Sequence, residues 1–326
     1  MNIKIGSFNC LNFGSASARK GKGKLIAKVI YDEGFDIIAL QEIKGSSVVN
    51  DVLRNLNCGN HKGKWQGWAD ADNEVNDYAF IWNSERITLP KTKLANGKIR
   101  VFHPHIYKQY GRDPELGRIS LARAPFYGRF QTRFVGMPNI ELRLINTHIR
   151  FSKGKDGKEL APMIGEIALR KFEFQALTKN IYYRLSDKVY GKSEGESNPQ
   201  TAYTILLGDY NLNLSESMAG SPYLGELECI EIKCKSNEDK TKVIVTKQGA
   251  LTTLKKPNEE NDEDSVCFAN NYDHFTFDNR RFNGTRKTIT RINTIDKYFK
   301  KDPQRHLKEL SDHTPIKMTL SIKKGR

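Results

Sequence analysis

Short apolar runs, each with the length of a β-strand, recur from one end of this chain to the other. The run at 35–40 is almost continuously apolar, as in a strand that is covered on both faces. Helical patterns separate the runs, at 24–33 and at 163–185. The other strand-like runs are at 3–8, 78–82, 142–147, 203–207, 274–277 and 316–322. This order predicts an α/β fold, a four-layer α/β sandwich in which two packed mixed β-sheets are flanked by helices.

The length and composition fit one large domain. With 326 residues, of which 38% are apolar and 28% charged, the chain can bury a sizeable core. No Gly/Ser linker or internal repeat divides it, so residues 1–326 are predicted to form a single domain. A polar loop is expected at 186–200. A charged insert at 219–265, with ten acidic and seven basic residues, is expected to be a solvated or disordered loop.

Compartment and redox state are also constrained. No apolar run approaches the roughly 18 residues of a membrane helix. The first residues do not resemble a signal peptide, which favours a cytoplasmic protein unless a non-classical route exports it. The cysteines are odd in number and form no CxxC pair, which argues against a zinc site and a complete disulfide framework. Reduced thiols are expected, although Cys229 and Cys234 could bridge; the others are Cys10, Cys58 and Cys267.

The net charge of +15 favours a polyanionic partner, either nucleic acid or an anionic membrane surface. The charge is concentrated locally. Residues 84–133 contain eleven Lys or Arg and three Asp or Glu, which leaves +8 on this segment. Within it, Asn96-Gly97 is typical of a hairpin turn. The basic residues around that turn are Lys91, Lys93, Lys98 and Arg100.

Carboxylates lie where the apolar runs begin or end. Glu42 follows one run, Asp209 follows another with Asn211 two positions later, and Asp273 and Asp312 precede two more. A buried strand that ends in a lone acid carries a desolvation cost, so the acid needs a cation, a donor or water. A hard cation such as Mg²⁺ would satisfy several of these acids at once. Taken singly, each acid is as well explained as a turn or cap residue.

Three histidines occupy similar positions: His148, His274 and His313. An imidazole can serve as acid or base near neutral pH, which suits phosphodiester hydrolysis. A lone histidine at a strand end is more often structural.

Six short blocks together resemble deoxyribonuclease I and its parent endonuclease/exonuclease/phosphatase superfamily. The first block joins IGSFNCLNFG at 5–14 to DIIALQE at 36–42 across a predicted helix. The others follow in the family's order, and all six blocks together with the final strand span residues 3–322. The other blocks are Arg123-Ala-Pro125 with Phe130, Asn146-Thr-His148, Gly208-Asp-Tyr-Asn211, Tyr272-Asp273 and Ser311-Asp312-His313.

The resemblance implies a role for each matching residue. Asn9 and Glu42 would hold Mg²⁺, with Asp312 nearby; Mn²⁺ is an alternative and Ca²⁺ a structural one. Asp209 and Asn211 would position the phosphate and the attacking water. His313, oriented by Asp273, would take the proton of that water, and His148 would protonate the leaving oxygen or hold the phosphate. Which histidine is acid and which is base stays open. Substrate contacts are implied for Arg123, Lys44 and Tyr272.

The chain also departs from the family. Members usually pair the first histidine with a glutamate just before the strand at 78–82; here Asn76 aligns with it, and Glu74 lies two positions earlier. The family's disulfides have no evident counterpart, and neither does the insert at 219–265.

The sequence therefore predicts a divalent-metal-dependent phosphodiesterase, an endonuclease that hydrolyses DNA. The first alternative is a sphingomyelinase-like or inositol-phosphate phosphoesterase. Such a membrane enzyme should expose apolar loops, for which Trp65 and Trp68 are the only hint, and both are interpreted as packing residues. The second alternative is a nucleic-acid-binding module without catalysis. Because a cytoplasmic nuclease would threaten its own genome, a regulatory protein partner is a further expectation.

Overall fold

The computed structural model of the chain describes residues 1–58, 63–70, 78–94, 96–110, 112–113, 117–118, 121–136, 139–150, 166–188, 190, 202–213, 229–233, 240–246, 250–255, 267–282 and 284–322. The strands are β1 (Asn2–Phe13), β2 (Ile37–Ile43), β3 (Trp65–Ala69), β4 (Tyr78–Asn83), β5 (Ile87–Thr88), β6 (Lys91–Lys93), β7 (Ile99–Val101), β8 (His105–Ile106), β9 (Arg112–Asp113), β10 (Gly117–Arg118), β11 (Phe126–Thr132), β12 (Glu141–His148), β13 (Ala202–Asp209), β14 (Cys229–Lys233), β15 (Lys240–Thr246), β16 (Asp273–Phe277), β17 (Thr285–Arg291) and β18 (Ile316–Ile322). The helices are α1 (Ser15–Arg19), α2 (Lys22–Asp32), α3 (Ser46–Leu56), α4 (Glu166–Ala176), α5 (Tyr183–Ser186), α6 (Thr294–Phe299) and α7 (Pro303–Glu309). A π-helical segment, Leu177–Tyr182, joins α4 to α5, and Asn279–Phe282 is a 3₁₀ helix.

Two large mixed sheets form the centre of the molecule. The first has the order β17-β18-β1-β2-β4-β3, and the second β14-β15-β16-β13-β12-β11-β5, with β8 also paired to β11. Strand β1 runs parallel to β2, and β12 runs parallel to β13. Strand β13 is antiparallel to β16. These pairings decide which strand ends meet at the functional site.

Successive side chains of each strand point to opposite faces of its sheet, so each sheet packs against a different layer on each face. Ile37 and Ala39 of β2 face a core shared with the second sheet, whereas Ile38 and Leu40 face the helices outside. Helices α2 and α3 cover the first sheet through residues such as Ile30 and Val52. The helical stretch from α4 to α5 covers the second sheet, where Phe174, Leu177 and Ile181 pack on Tyr127, Ile145 and Leu206. The predicted four-layer α/β sandwich is confirmed.

The strand predictions are confirmed, and the helix at 163–185 is observed from Glu166 to Ser186 with its π-helical centre. Several elements were not predicted. Strand β17 was missed because its sequence, TRKTITR, lies at a sheet edge with alternate residues exposed and lacks an apolar run. The hairpin expected at Asn96-Gly97 is confirmed: β6 and β7 pair antiparallel, and Gly97 has a φ of 78°.

The prediction of a loop throughout 219–265 is wrong in part, because β14 and β15 extend the second sheet from this segment. Their sequences, CIEIK and KTKVIVT, carry the alternation of an edge hairpin, which the surrounding charge obscured. The acidic run at 259–264 lies outside the described residues, as does most of 186–200. Cys10, Cys58 and Cys267 are free thiols, whereas the side chains of Cys229 and Cys234 are not described. Within the described part of the chain, no helix is long and apolar enough to span a bilayer.

Candidate active site

Polar side chains from six strand ends converge at one end of the sandwich. The parallel pairs β1–β2 and β12–β13 bring their carboxyl ends together. The antiparallel partner β16 begins opposite the end of β13, so Asp273 pairs with Asp209. The result is a cleft of about 430 Å³. Its polar lining includes Asn9, Glu42, Arg123, His148, Asp209, Asn211, Tyr272, Asp312 and His313.

Unusual backbone conformations aim these side chains. Glu42 and Asn211 have φ values of 58° and 50°, in the left-handed region that costs non-glycine residues energy and is often found at functional sites. At position 208, directly before Asp209, only glycine fits. A Cβ on Gly208 would lie 1.8 Å from the carbonyl oxygen of Thr147, and the φ of Gly208 is 142°.

Asp209 is at the centre of the cleft. Its Oδ2 accepts a hydrogen bond from Asn9 Nδ2 at 2.9 Å, and its Oδ1 accepts one from the backbone N–H of Asn211 at 2.8 Å. The same Oδ2 lies 3.6 Å from Nε2 of both His148 and His313. Burial raises the pKa of Asp209 to about 7, although the nearby His313 opposes the shift. A carboxyl that titrates near neutral pH suits proton transfer.

His313 forms an Asp–His pair with Asp273. Its Nδ1 lies 2.7 Å from Asp273 Oδ2. Burial lowers the pKa of His313, but the Asp273 and Asp209 carboxylates outweigh burial and raise it well above the usual value. The hydroxyl of Ser311 fixes this loop, because it donates to the carbonyl oxygen of Asn9 and accepts from the backbone N–H of His313.

His148 has the opposite electrostatic environment. Its Nδ1 lies 2.6 Å from Nη1 of Arg123, and because a guanidinium only donates, Nδ1 accepts and the ring proton is assigned to Nε2. Burial lowers the pKa of His148 well below 6.5, and Arg123, His313 and Lys44 lower it further. The backbone N–H of His148 donates to the Tyr78 hydroxyl. His148 is therefore neutral at neutral pH, whereas His313 is cationic.

No protein-family model and no curated protein matches the chain. Solved structures do match it over nearly its full length. An endonuclease/exonuclease/phosphatase from Bacteroides vulgatus is 12% identical, with a TM-score of 0.56 over 99% of this chain and 100% of that one. A humanized D. rerio TDP2 is also 12% identical, with a TM-score of 0.52 over 98% and 99%. D. rerio TDP2 complexed with single-strand DNA product is 13% identical, with a TM-score of 0.50 over 98% and 99%. The chain has the endonuclease/exonuclease/phosphatase fold.

The oxygen donors that line this cleft suit a hard dication. Mg²⁺ binds through one or two carboxylates and retains several waters. Glu42 and Asp312 can supply those carboxylates: the Glu42 side chain is 18% exposed and that of Asp312 is 40% exposed. Among the described residues, no group of three His, Cys, Asp or Glu side chains is arranged to hold a metal. Asn9 directs Nδ2 toward Glu42 and Asp209, while its Oδ1 accepts from the Leu11 N–H. Asn9 therefore orients Glu42 and Asp209 in this arrangement.

The other predicted residues divide into four groups. Arg123, Tyr272 and Asn211 line the cleft, and Asn211 also donates from Nδ2 to the carbonyl oxygen of Ile149. Lys44 is exposed beside the cleft and acts on His148 through its charge. Glu74 and Asn76 lie outside the described residues. His274 is buried, and its Nε2 contacts the carbonyl oxygens of Leu212 and Asn271, so it is structural.

Sequence reasoning missed two features of the site. The Arg123–His148 contact joins residues 25 positions apart, and no spacing rule indicates it. One wall of the cleft, which includes Thr253 and Lys255, comes from the charged insert. It is held by the bridges Thr253–His313 and Leu254–Phe268. The charge composition of the insert suggested solvent exposure rather than a place beside His313.

Proposed function

We propose that the chain is a divalent-metal-dependent phosphodiesterase that hydrolyses DNA as an endonuclease. The observation that carries this proposal is the position of Asp209, whose Oδ2 is 3.6 Å from each of two histidines with oppositely shifted pKa values. Neighbouring groups with pKa values pushed apart are typical of acid–base catalysis. Glu42 and Asp312 would hold the dication, which when bound would polarise the phosphate and neutralise its developing charge.

The charge states favour Asp209 as the group that takes the proton from the attacking water. Its pKa of about 7 keeps a large fraction ionised at neutral pH. His313 is protonated under the same conditions, so it is better suited to give its proton to the leaving oxygen as the P–O bond breaks than to act as the base. In the sequence analysis the resemblance implied that His313 takes this proton, while which histidine is acid and which is base stayed open; here Asp209 takes that role instead.

Neutral His148 would hold the phosphate from the other side. Its Nε2–H points into the cleft, 3.6 Å from Asp209 Oδ2 and 3.9 Å from Glu42 Oε1. Arg123 fixes the ring through Nη1 and can direct its other N–H groups at the phosphate, for which a planar guanidinium is well suited. The two histidines and Arg123 would therefore surround the phosphate while Asn211 and Asp209 position the water.

DNA is the substrate favoured by charge. The chain carries +15 overall, with +8 on residues 84–133, and duplex DNA binds such surfaces through counterion release. Nucleic acid is also the ligand of a structure with this fold, D. rerio TDP2 with its single-strand DNA product.

The test is cleavage of supercoiled plasmid in Mg²⁺ or Mn²⁺, with EDTA as the chelated control. Nicking should require the dication and should be lost in His313→Ala and Glu42→Gln. The matched control is Glu85→Gln, which alters an exposed carboxylate that pairs with Lys64. Nicking at full rate in EDTA, or in Glu42→Gln, would contradict the proposal. Binding of plasmid with no cleavage under any condition would favour the binding-module alternative.

A sphingomyelinase-like activity is the second candidate, because of an apolar feature on the basic hairpin. Leu94 and Ile99 are 41% and 66% exposed there, beside Lys98 and Arg100. Trp65 is buried as predicted, whereas Trp68 is 40% exposed and stacks on His103 with 4.0 Å between ring centroids. Sphingomyelin vesicles and an inositol phosphate panel should be run beside the plasmid. Faster turnover of either would favour the alternative.

A further inference from the structure

A second cavity lies on the outer face of the eight-stranded sheet, apart from the catalytic cleft. Its volume is about 210 Å³, below the roughly 300–1,000 Å³ of drug-sized ligand sites, so it can enclose one flat ring of a larger ligand but not a duplex. Tyr127 and Arg129 of β11 line its floor, and Phe102 and Tyr190 line its sides. Exposed Arg100 and Lys188 also line it, and no acidic side chain does so among the described residues.

The floor carries a buried cation with unused hydrogen-bonding capacity. Arg129 is 8% exposed, and it donates from Nε and Nη2 to the two carboxylate oxygens of Glu141. Arg143 donates to the same carboxylate, so one negative charge is shared by two guanidinium groups. Nη1 of Arg129 is buried and has no hydrogen-bond partner among the described residues. Because Nη1 is covered, Arg129 contributes positive charge to the floor of the cavity rather than an accessible donor, and that charge favours an anionic ligand above it.

The walls are aromatic. The guanidinium carbon of Arg129 lies 3.4 Å from the ring centroid of Tyr190 and 4.8 Å from that of Phe102. The Tyr127 and Tyr190 hydroxyls are 3.0 Å apart, which fixes the two rings together. Aromatic faces and guanidinium planes are the surfaces on which nucleobases stack, whatever their sequence. A plain anion site would not need this apolar lining.

We propose that this cavity is a nucleotide-binding subsite, in which the base contacts Phe102 and Tyr190 and the phosphate binds the exposed cations Arg100 and Lys188, above the positive charge of Arg129. The inference rests on the proposed function for the source of the nucleotide, which is a strand of the DNA substrate. A free mononucleotide presents the same base and phosphate groups. Binding at the cavity does not need catalysis. The hairpin β6–β7 contributes Arg100, which links the basic segment to the cavity.

The test is calorimetric titration in EDTA with dAMP, deoxyadenosine and inorganic phosphate as separate probes. EDTA removes metal-dependent binding at the catalytic cleft. The dAMP probe should bind once per chain and more tightly than either part alone. Phe102→Leu and Arg100→Glu should each weaken dAMP by at least about fivefold, the lower end of a lost base-stacking contact. Arg286→Glu is the matched control, because it makes the same charge change at an exposed arginine of β17, outside the cavity lining and outside the hairpin.

The proposed function and the proposed subsite can be disproved independently of each other. His313→Ala should lose cleavage and keep dAMP binding, so loss of catalysis alone leaves the subsite intact. Arg129→Gln removes a buried ion pair that could destabilise the fold, so the test relies on substitutions of exposed Arg100 and half-buried Phe102. The subsite is overturned if phosphate binds as tightly as dAMP, or if Arg100→Glu and Phe102→Leu bind dAMP like wild type. Competition by single-stranded DNA would identify a strand as the source; binding of dAMP without such competition would identify the free nucleotide.

Discussion

Glu42 combines a strained backbone with two fixed carboxylate oxygens. Its Oε1 accepts from Asn9 Nδ2 and its Oε2 from the Asn12 N–H. Glu42→Gln keeps the shape of the side chain but removes the charge that a hard dication needs. We expect thermal stability to change little and turnover to fall by at least roughly 10–100-fold, the loss seen even for residues that only support a metal ligand. The measurement is activity as a function of metal concentration for this variant and for Glu85→Gln. Identical curves for the two variants would contradict a ligand role for Glu42.

The proposed roles of Asp209 and His313 predict a bell-shaped pH profile. Activity should rise with pH as Asp209 loses its proton, and fall at higher pH as His313 loses its own, since the pKa of His313 is raised. A bound dication lowers the pKa of a neighbouring carboxyl, so the rising limb should lie at or below about 7. The kcat/KM of His313→Gln, although low, should keep the rising limb and lose the falling one. Loss of the rising limb instead would show that His313 is the base.

Asp273 and His313 should act as one unit. Asp273→Asn removes the charge that holds His313 protonated and oriented through the 2.7 Å contact. We expect His313→Ala to cost about 10²–10⁴-fold in turnover and Asp273→Asn nearly as much. The double variant should be little worse than either single variant. Strictly additive losses in kcat would show that the two residues work independently.

Strand-end acids and histidines could be predicted from the sequence because desolvation makes an unpaired acid at the end of a buried strand unfavourable. Their charge states could not. The opposite pKa shifts of His148 and His313 depend on whether Arg123 or Asp273 contacts the ring, and both contacts join residues distant in the chain. Asn9, predicted as a ligand, also donates from Nδ2 to two carboxylates, and its ligand role stays a prediction.

Helices α6 and α7 enclose a histidine that does not line the candidate cleft. His306 is buried, its Nε2 lies 2.7 Å from the Thr294 hydroxyl, and its ring packs edge-on against Phe299. Burial lowers the pKa of His306 to about 4. Because the unfolded chain binds this proton near pH 6.5 and the folded chain only near 4, stability is present above about 6.5 and is lost as the pH falls toward 4.

Urea unfolding at neutral and mildly acid pH tests this coupling. Between about pH 7 and pH 5, wild type should lose about 2 kcal/mol of unfolding free energy through His306. His306→Gln should be less stable at neutral pH and lose about that much less on acidification, since it has no proton to bind. Equal losses in the two proteins would show that His306 does not couple folding to pH.

At the scale of elements, prediction succeeded where a pattern was purely hydrophobic. The buried strands β1, β2, β12 and β13 were found from apolar runs. Strands at the sheet edges were missed because edge strands carry polar and charged side chains, which prevent pairing with other chains. Polar side chains interrupt the apolar pattern of β17, and charged residues surround β14 and β15. The charged residues of the sequence therefore indicated which segments lie on the surface, but not the secondary structure of those segments.

The whole molecule is a basic sandwich with a polar cleft at one end, and under the proposed function its charge should control its association with DNA. The net charge is +15, and the hairpin β6–β7 carries Lys91, Lys93 and Lys98 as exposed residues. Each lysine that contacts a phosphate should add about 0.9 to the slope of log affinity against log salt concentration for duplex DNA. Reversing the three lysines to Glu should therefore weaken duplex binding and flatten that slope.

The matched control reverses three lysines that are exposed on the helical parts of the surface, Lys24, Lys179 and Lys300, so that the net charge changes equally. If the hairpin follows the DNA backbone, its variant should lose more affinity and more slope than the control, measured by fluorescence anisotropy at several salt concentrations. Hydrolysis of bis-nitrophenyl phosphate should stay nearly unchanged in both variants, because no described residue of the hairpin lines the cleft. Equal losses of affinity in the two variants would mean that net charge alone attracts DNA. A loss of small-substrate turnover in the hairpin variant would mean that the hairpin supports the catalytic cleft itself.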